Sequence, residues 1–162
     1  MRIILITFLC ALIAGCGLYK DGYKPNILLE KKINQSRKAQ IINAGKSQVV
    51  AIATHLNNVD SRIFSQGREY FFIEIFSELD IPLAESLHFS LTNGVDFMWM
   101  REIPHNEMEG VLTVYNRWAR GFLIAFDELE YQQKKNMKLV AEVENVGTMV
   151  FDFSYKVLEM QL

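Results

Sequence analysis

The chain contains little cysteine and has no large excess of charge of either sign. These two features exclude several classes of protein. Both of its cysteines, Cys10 and Cys16, lie close to the start of the sequence. The rest of the chain therefore has no thiol for a disulfide bond, a cysteine-ligated metal or a catalytic nucleophile. The formal net charge of −2 gives no electrostatic reason to bind nucleic acid or an anionic bilayer surface.

The sequence also lacks an apolar run long enough for a transmembrane helix, which needs about 18 or more residues. Its first apolar stretch, Ile3–Ala14, is shorter than that and follows a single positive charge at Arg2. A charged start followed by a short apolar run is typical of a signal peptide, which is removed from the mature protein.

The apolar stretch runs into the motif Leu12-Ile13-Ala14-Gly15-Cys16, in which two small residues precede a cysteine. This motif resembles the lipobox of bacterial lipoproteins. The resemblance implies cleavage before Cys16 and a diacylglycerol on its thiol. It also implies stable attachment to a membrane, because two or three acyl chains hold a protein firmly where a single chain does not.

The residue after that cysteine is Gly17, which bears on the membrane that receives the protein. In enteric lipoproteins an Asp at this position favours retention in the inner membrane, so the resemblance implies the outer membrane here. The sorting rule varies between bacteria, and both the inner membrane and either face of the outer membrane stay open. We expect a signal peptide over residues 1–15, a lipidated cysteine and short tether over 16–26, and one domain over 27–162.

From Lys46 onward apolar residues alternate with polar ones, and short turns containing glycine, asparagine or proline separate the alternating stretches. A period of two residues predicts β-strands. About eight short strands favour an all-β fold, namely an antiparallel β-sandwich of immunoglobulin-like type, although the cysteine pair usual in that fold is missing. Residues 28–43 fit either a short N-terminal helix or, over their second half, an edge strand, which we favour. The predicted strands are Ser47–Leu56, Arg68–Phe76, Ser86–Leu91, Val95–Arg101, Gly110–Asn116, Arg120–Asp127, Met137–Glu144 and Thr148–Val157.

Matching the apolar faces of neighbouring strands predicts the register of two hairpins. Each has a three-residue loop, over residues 92–94 and 145–147, and ends in a left-handed glycine, Gly94 or Gly147. The predicted opposite pairs are Leu91 with Val95, Phe89 with Phe97 and Leu87 with Trp99 in the first hairpin, and Val143 with Met149, Ala141 with Phe151, Leu139 with Phe153 and Met137 with Tyr155 in the second.

No catalytic motif stands out, because the chain has no His-Glu-x-x-His pair, no Gly-x-Ser-x-Gly elbow and no phosphate-binding loop. Its histidines are His55, His88 and His105. The alternation places the first two on polar faces of strands. His105 falls in a loop with acidic neighbours but without a known ligand spacing. We therefore expect no enzyme activity, no cofactor and no metal.

Two predicted strands carry apolar residues on both faces. Tyr70, Phe72 and Phe76 lie on the second face of one strand, and Met98 and Met100 lie on the second face of another. Aromatic and methionine side chains are common at adaptable binding surfaces, so these five are the predicted partner-binding residues. The alternative is that a loop of the same chain, or its N-terminal segment, packs over them.

Together these features favour a membrane-anchored lipoprotein whose domain is a non-catalytic interaction or structural module of the cell envelope and contacts an envelope protein. One alternative is a periplasmic carrier of a lipid or another apolar ligand, which requires a cavity of roughly 300 Å³ or more. A hydrolase or metal enzyme is a third class, and it requires the histidines to converge with carboxylates.

Overall fold

The computed structural model describes residues 26–65, 67–92 and 94–154, so Cys16 and the predicted signal peptide over residues 1–15 lie outside the described residues. In this part of the chain, eight β-strands and three short α-helices form most of the regular structure. The strands are β1 (Ser36–Asn43), β2 (Lys46–His55), β3 (Arg68–Ser77), β4 (Leu87–Leu91), β5 (Trp99–Ile103), β6 (Arg120–Asp127), β7 (Lys138–Val143) and β8 (Gly147–Asp152). The helices are α1 (Ile27–Asn34), α2 (Leu83–Ser86) and α3 (Tyr131–Lys135).

The strands form two antiparallel sheets that enclose a common core. The larger sheet has the order β1-β2-β3-β6-β5, and the smaller sheet has the order β4-β7-β8. The predicted all-β sandwich of about eight strands is confirmed. Its strand order keeps β1, β2 and β3 together in one sheet, whereas the immunoglobulin arrangement divides its second and third strands between the two sheets.

The main core lies between the sheets and follows directly from the period-two alternation. In β3, Phe71, Ile73 and Ile75 have no exposed surface, and β7 contributes Leu139 and Ala141 from the opposite sheet. Fully burying one such Phe, Ile or Leu side chain stabilises the fold by about 1.5–3 kcal/mol. The residues of this core are therefore the ones whose pattern made the strands predictable.

The hairpin at Gly94 begins in the predicted register and then diverges. The N–H of Leu91 donates to the carbonyl of Val95 over 2.8 Å, and the predicted positive φ of Gly94 is confirmed at +77°. After this turn the chain crosses to the larger sheet, where β5 pairs with β6, while β4 pairs with β7. The predicted pairing of Leu87 with Trp99 is therefore wrong.

The hairpin between β7 and β8 has the predicted faces but not the predicted register. Ala141 lies opposite Met149 rather than Phe151, and all three are buried, so the apolar face is preserved. Asn145 adopts the left-handed conformation with φ +60°, which starts the loop one residue earlier than predicted. Gly147 has the predicted positive φ, at +152°, and begins β8.

One predicted strand is wrong, and an ambiguous segment supplies the eighth. The stretch Gly110–Asn116 contains a 3-10 turn over Gly110–Leu112 and then a loop that crosses the larger sheet. Residues 28–43 are divided between α1 and β1. The helix begins after Asn26, whose Oδ1 accepts the N–H of Leu29 over 3.2 Å as an N-cap.

Hydrogen bonds join the larger sheet to the smaller sheet at both lateral edges of the sandwich. On one side, Nε of Arg37 in β1 donates to the carbonyl of Asp152 in β8 over 2.9 Å. On the other side, the N–H of Phe97, two residues before β5, donates to the carbonyl of Phe89 in β4 over 3.4 Å. The edge strands of the larger sheet therefore lie close to the smaller sheet at both sides.

Candidate functional site

The face of the larger sheet that points away from the main core carries a second apolar cluster, which we call the outer core. Phe72 lies at its centre with no exposed surface, because the segments over residues 56–64 and 103–114 pack over β3. The prediction that Phe72 faces a partner is therefore corrected, and its ring belongs to the interior. The outer core comprises Leu56, Phe64, Phe72 and Ile103, with Tyr70, Met108, Val111, Leu112, Val114 and Leu123 partly buried against it.

A buried ion pair fastens α1 to this face. Nζ of Lys32 lies 2.8 Å from Oε1 of Glu74, and the two side chains are only 5% and 9% exposed. Lys32 also donates to the carbonyl of Thr113 over 2.7 Å and lies 5.1 Å from the centre of the Phe72 ring. Buried charges are tolerated when they are paired and hydrogen-bonded. The pair therefore fixes α1, β3 and the loop at Thr113 relative to one another.

The turn over residues 115–118, which follows this loop, exposes two aromatic rings. Tyr115 and Trp118 are 69% and 66% exposed. Oδ1 of Asn116 accepts the N–H of Trp118 over 3.0 Å, and the guanidinium of Arg117 lies 4.5 Å from the centre of the Trp118 ring. Sequence reasoning missed this turn because it assigned Tyr115 and Asn116 to the predicted strand Gly110–Asn116.

Tyr70 belongs to a row of three rings at the margin of the outer core. The centre of its ring lies 5.7 Å from that of Phe64 and 6.2 Å from that of Trp99. Tyr70 and Trp99 both pair with Ala125 of β6, one from each side, and the small alanine side chain leaves room for the rings to approach. We call Phe64, Tyr70 and Trp99 the aromatic row, of which Tyr70 and Trp99 are half-buried.

The other predicted contact residues differ in their exposure. Met98 is 47% exposed, and Phe76 is half-buried near the end of β3. Met100 packs against the main core, so the prediction that it lies on the outward face is wrong. The physical reason is the pairing of β5 with β6, which directs Trp99 to the outer face and Met100 to the main core.

His55 is buried, contrary to its predicted place on a polar surface. Its Nε2 lies 2.8 Å from Oε2 of Glu69, and its ring stacks on Phe71 with the ring centres 4.9 Å apart. Nζ of Lys134 lies 2.7 Å from Oε1 of the same carboxylate. Burial opposes ionisation of Glu69, but hydrogen bonds from His55 and Lys134 outweigh it and hold the pKa of Glu69 below its usual value. An ionised carboxylate only accepts hydrogen bonds, so Nε2 carries the proton.

The other two histidines are exposed and lie in separate elements, as predicted. Nε2 of His88, on β4, lies 3.3 Å from Oδ1 of Asp96, and His105 begins a 3-10 turn after β5. Over residues 26–65, 67–92 and 94–154, no three side chains of the metal-binding types come together. The three histidines lie in three different elements, His55 in β2, His88 in β4 and His105 in the turn after β5.

Two depressions on the described surface are open rather than enclosed. The first, of about 680 Å³, lies beside α3 and β7 and is lined by residues such as Gln133 and Met137. A second, of about 470 Å³, lies at the start of α3 beside Glu128. Phe71 and Phe72, on opposite faces of β3, are both fully buried. The strand expected to line a ligand cavity is therefore packed on both sides.

No protein-family model, curated protein or solved structure matches the chain. Among the described residues, no helix is long and apolar enough to cross a bilayer. The function must therefore be inferred from the residues themselves.

Proposed function

We propose that this protein is a bacterial lipoprotein, held to the outer membrane by lipid on Cys16, whose domain is a non-catalytic interaction module of the cell envelope. The observation that carries the proposal is the motif Leu12-Ile13-Ala14-Gly15-Cys16 after a short apolar run. A membrane-attached domain that binds a partner needs a stable scaffold and a surface of its own, and the described residues support both requirements.

The scaffold is supported by two apolar cores and by buried charges that have partners. Lys32 pairs with Glu74, and Glu69 pairs with His55 and Lys134. Buried charges without partners would cost several kcal/mol each. The domain therefore has the packing of a protein that folds without help from a ligand, which favours an interaction module over a carrier.

The contact surface we propose consists of Tyr70 and Trp99 of the aromatic row together with Met98. Tyr70 and Trp99 are half-buried, and Met98, which directly precedes Trp99, is 47% exposed. Aromatic residues and methionine are enriched at protein interfaces, because they present large apolar area with few rotatable bonds or with an adaptable thioether. The partner proposed for this surface is a protein of the cell envelope.

The anchor is tested by replacing Cys16. Cells producing the Cys16→Ala variant should show no metabolic fatty-acid labelling of the protein, while the unchanged protein is labelled. Labelling that persists in the variant would contradict the assignment of Cys16.

The contact surface is tested by photo-crosslinking in intact membranes. A crosslinking residue at Met98 should give one discrete adduct with an envelope protein. The matched control is Val150, which is 52% exposed on the outer face of the smaller sheet. Adducts of the same pattern from both positions, or from neither, would contradict the proposed surface.

A further inference from the structure

The turn over residues 115–118 is a fixed surface feature rather than a loosely held loop end. Asn116 accepts the N–H of Trp118 with its side chain over 3.0 Å and the N–H of Ala119 with its carbonyl over 2.9 Å. Ala119 itself is buried. These contacts hold the exposed ring of Trp118 at the surface, with Arg117 stacked on it.

The turn lies beside α1, the first element of the described chain, on the side of the larger sheet that carries the outer core. Nζ of Lys32 in α1 lies 5.5 Å from the centre of the Tyr115 ring and bonds the carbonyl of Thr113. The first turn of α1 exposes two more apolar side chains, Ile27 at 64% and Leu28 at 38%. We call Ile27, Leu28, Tyr115 and Trp118 the seating surface.

The position of α1 along the chain brings this layer close to the proposed anchor. Nine residues lie between Cys16 and Asn26, and the chain from one to the other reaches at most about 35 Å when fully extended. The layer that contains α1 is therefore joined to the lipid by a short covalent path.

The chemistry of the seating surface fits a lipid–water interface. Tryptophan and tyrosine are enriched at the level of lipid headgroups, because each has an apolar ring and a polar group, and aliphatic residues beside them add apolar area that lipid can bury. Charge contributes little to this fit, since Glu30 and Glu109 are exposed in the same layer as Lys31 and Arg117. Scattered apolar residues on a surface need no explanation, but two of these four begin α1, the first described helix after Cys16, and Tyr115 lies beside Lys32 of the same helix.

We propose that the seating surface rests in the headgroup region of the membrane that holds the lipid on Cys16, and so fixes the orientation of the domain. This inference rests on the proposed lipid anchor. It assigns the membrane to Tyr115 and Trp118, and it leaves Tyr70, Trp99 and Met98 to the protein partner.

The test uses the lipidated full-length protein, which has two tryptophans, Trp99 and Trp118. The Trp99→Phe variant keeps Trp118 as its only tryptophan, and the Trp118→Phe variant keeps Trp99 as the matched control. Each is reconstituted into vesicles of phosphatidylethanolamine and phosphatidylglycerol that contain phosphatidylcholine brominated near the headgroup end of its acyl chains. Bromine quenches tryptophan emission over a short distance, so it reports contact with lipid.

We expect Trp118 to lose emission in brominated vesicles and to shift its emission maximum to shorter wavelength, and Trp99 to show neither change. Flotation with the vesicles reports the anchor separately. A protein that floats while Trp118 stays unquenched contradicts the seating surface alone. A protein that does not float contradicts the anchor and the inference that rests on it.

Discussion

The ring of Phe72 occupies the space that a side chain at Gly121 would need. A Cβ atom at Gly121 would lie 2.9 Å from Cζ of Phe72 and 3.1 Å from Cγ2 of Val114. The two residues lie near each other on the neighbouring strands β3 and β6. The glycine therefore lets the central ring of the outer core pack under the covering loop.

Replacing Gly121 with alanine should destabilise the fold by about 1–3 kcal/mol, because the added methyl group overpacks the outer core. The free energy of unfolding is measured by urea titration of the unlipidated Cys16→Ala protein. In a Phe72→Leu background the same substitution should cost less, since the opposing ring is gone. An equal cost in both backgrounds would show that Phe72 is not the obstacle.

Removing one partner of the buried pair should be more damaging than removing both. Lys32→Met should cost about 3–5 kcal/mol, because it leaves the carboxylate of Glu74 buried and unpaired, and the double variant with Glu74→Leu should recover part of that loss. Lys31→Met is the control, since Lys31 is exposed on the same helix, and should change stability by less than about 0.5 kcal/mol. Equal effects of Lys31→Met and Lys32→Met would contradict the pairing.

The low pKa of Glu69 predicts a specific loss of stability in acid. Because the folded pKa lies below the usual value of 4.5, ionised Glu69 contributes stability that is fully present above about pH 4.5 and is lost as the pH falls through the folded pKa. Glu69→Gln should lower stability at neutral pH by about 1–3 kcal/mol and flatten the acid side of the stability curve. Glu128→Gln, at an exposed carboxylate 3.9 Å from Lys134, should leave the curve unchanged. Parallel curves for Glu69→Gln and the unchanged protein would refute the linkage.

Alanine at the two glycines of positive φ should have unequal costs. Gly94 has open space around its Cα, so Gly94→Ala costs only the backbone strain, about 1 kcal/mol. At Gly147 an added Cβ would also lie 3.2 Å from Cγ2 of Ile41, so Gly147→Ala should cost more. When combined with Gly147→Ala, Ile41→Val keeps Cγ2 and should leave the cost of the alanine unchanged. Ile41→Ala removes Cγ2 and should reduce that cost. Thermal unfolding of the four variants measures these costs, and identical losses at both glycines would count against the contact.

The strands were predictable because their alternation is local in sequence. The predicted strand Arg120–Asp127 has the bounds of β6, and the left-handed Gly94 was located from two adjacent apolar faces. The sheet that a strand joins depends on partners far along the chain. The faces of β5 were therefore exchanged, and Met100 was placed on the wrong side.

The candidate site depended still more on distant contacts. Phe72 resembles an exposed ring until the loops over residues 56–64 and 103–114 cover it. Lys32 and Glu74 each look like ordinary surface charges, and only the docking of α1 buries them together. His55 lies at a polar position of the alternation, and its burial is tolerated because Glu69 and Lys134 supply partners that no local pattern reveals.

The hydrogen bonds at the lateral edges of the sandwich affect how copies of the domain would meet when crowded in the plane of a membrane. The proposed lipid anchor would concentrate copies in two dimensions, where an open sheet edge on one copy is a template for the edge of the next. Here Arg37 ties the β1 edge to the carbonyl of Asp152, and β5 is only five residues long and carries the charged residues Arg101 and Glu102. Neighbouring copies therefore meet short or charged edges, which disfavour strand-to-strand aggregation even at high surface density.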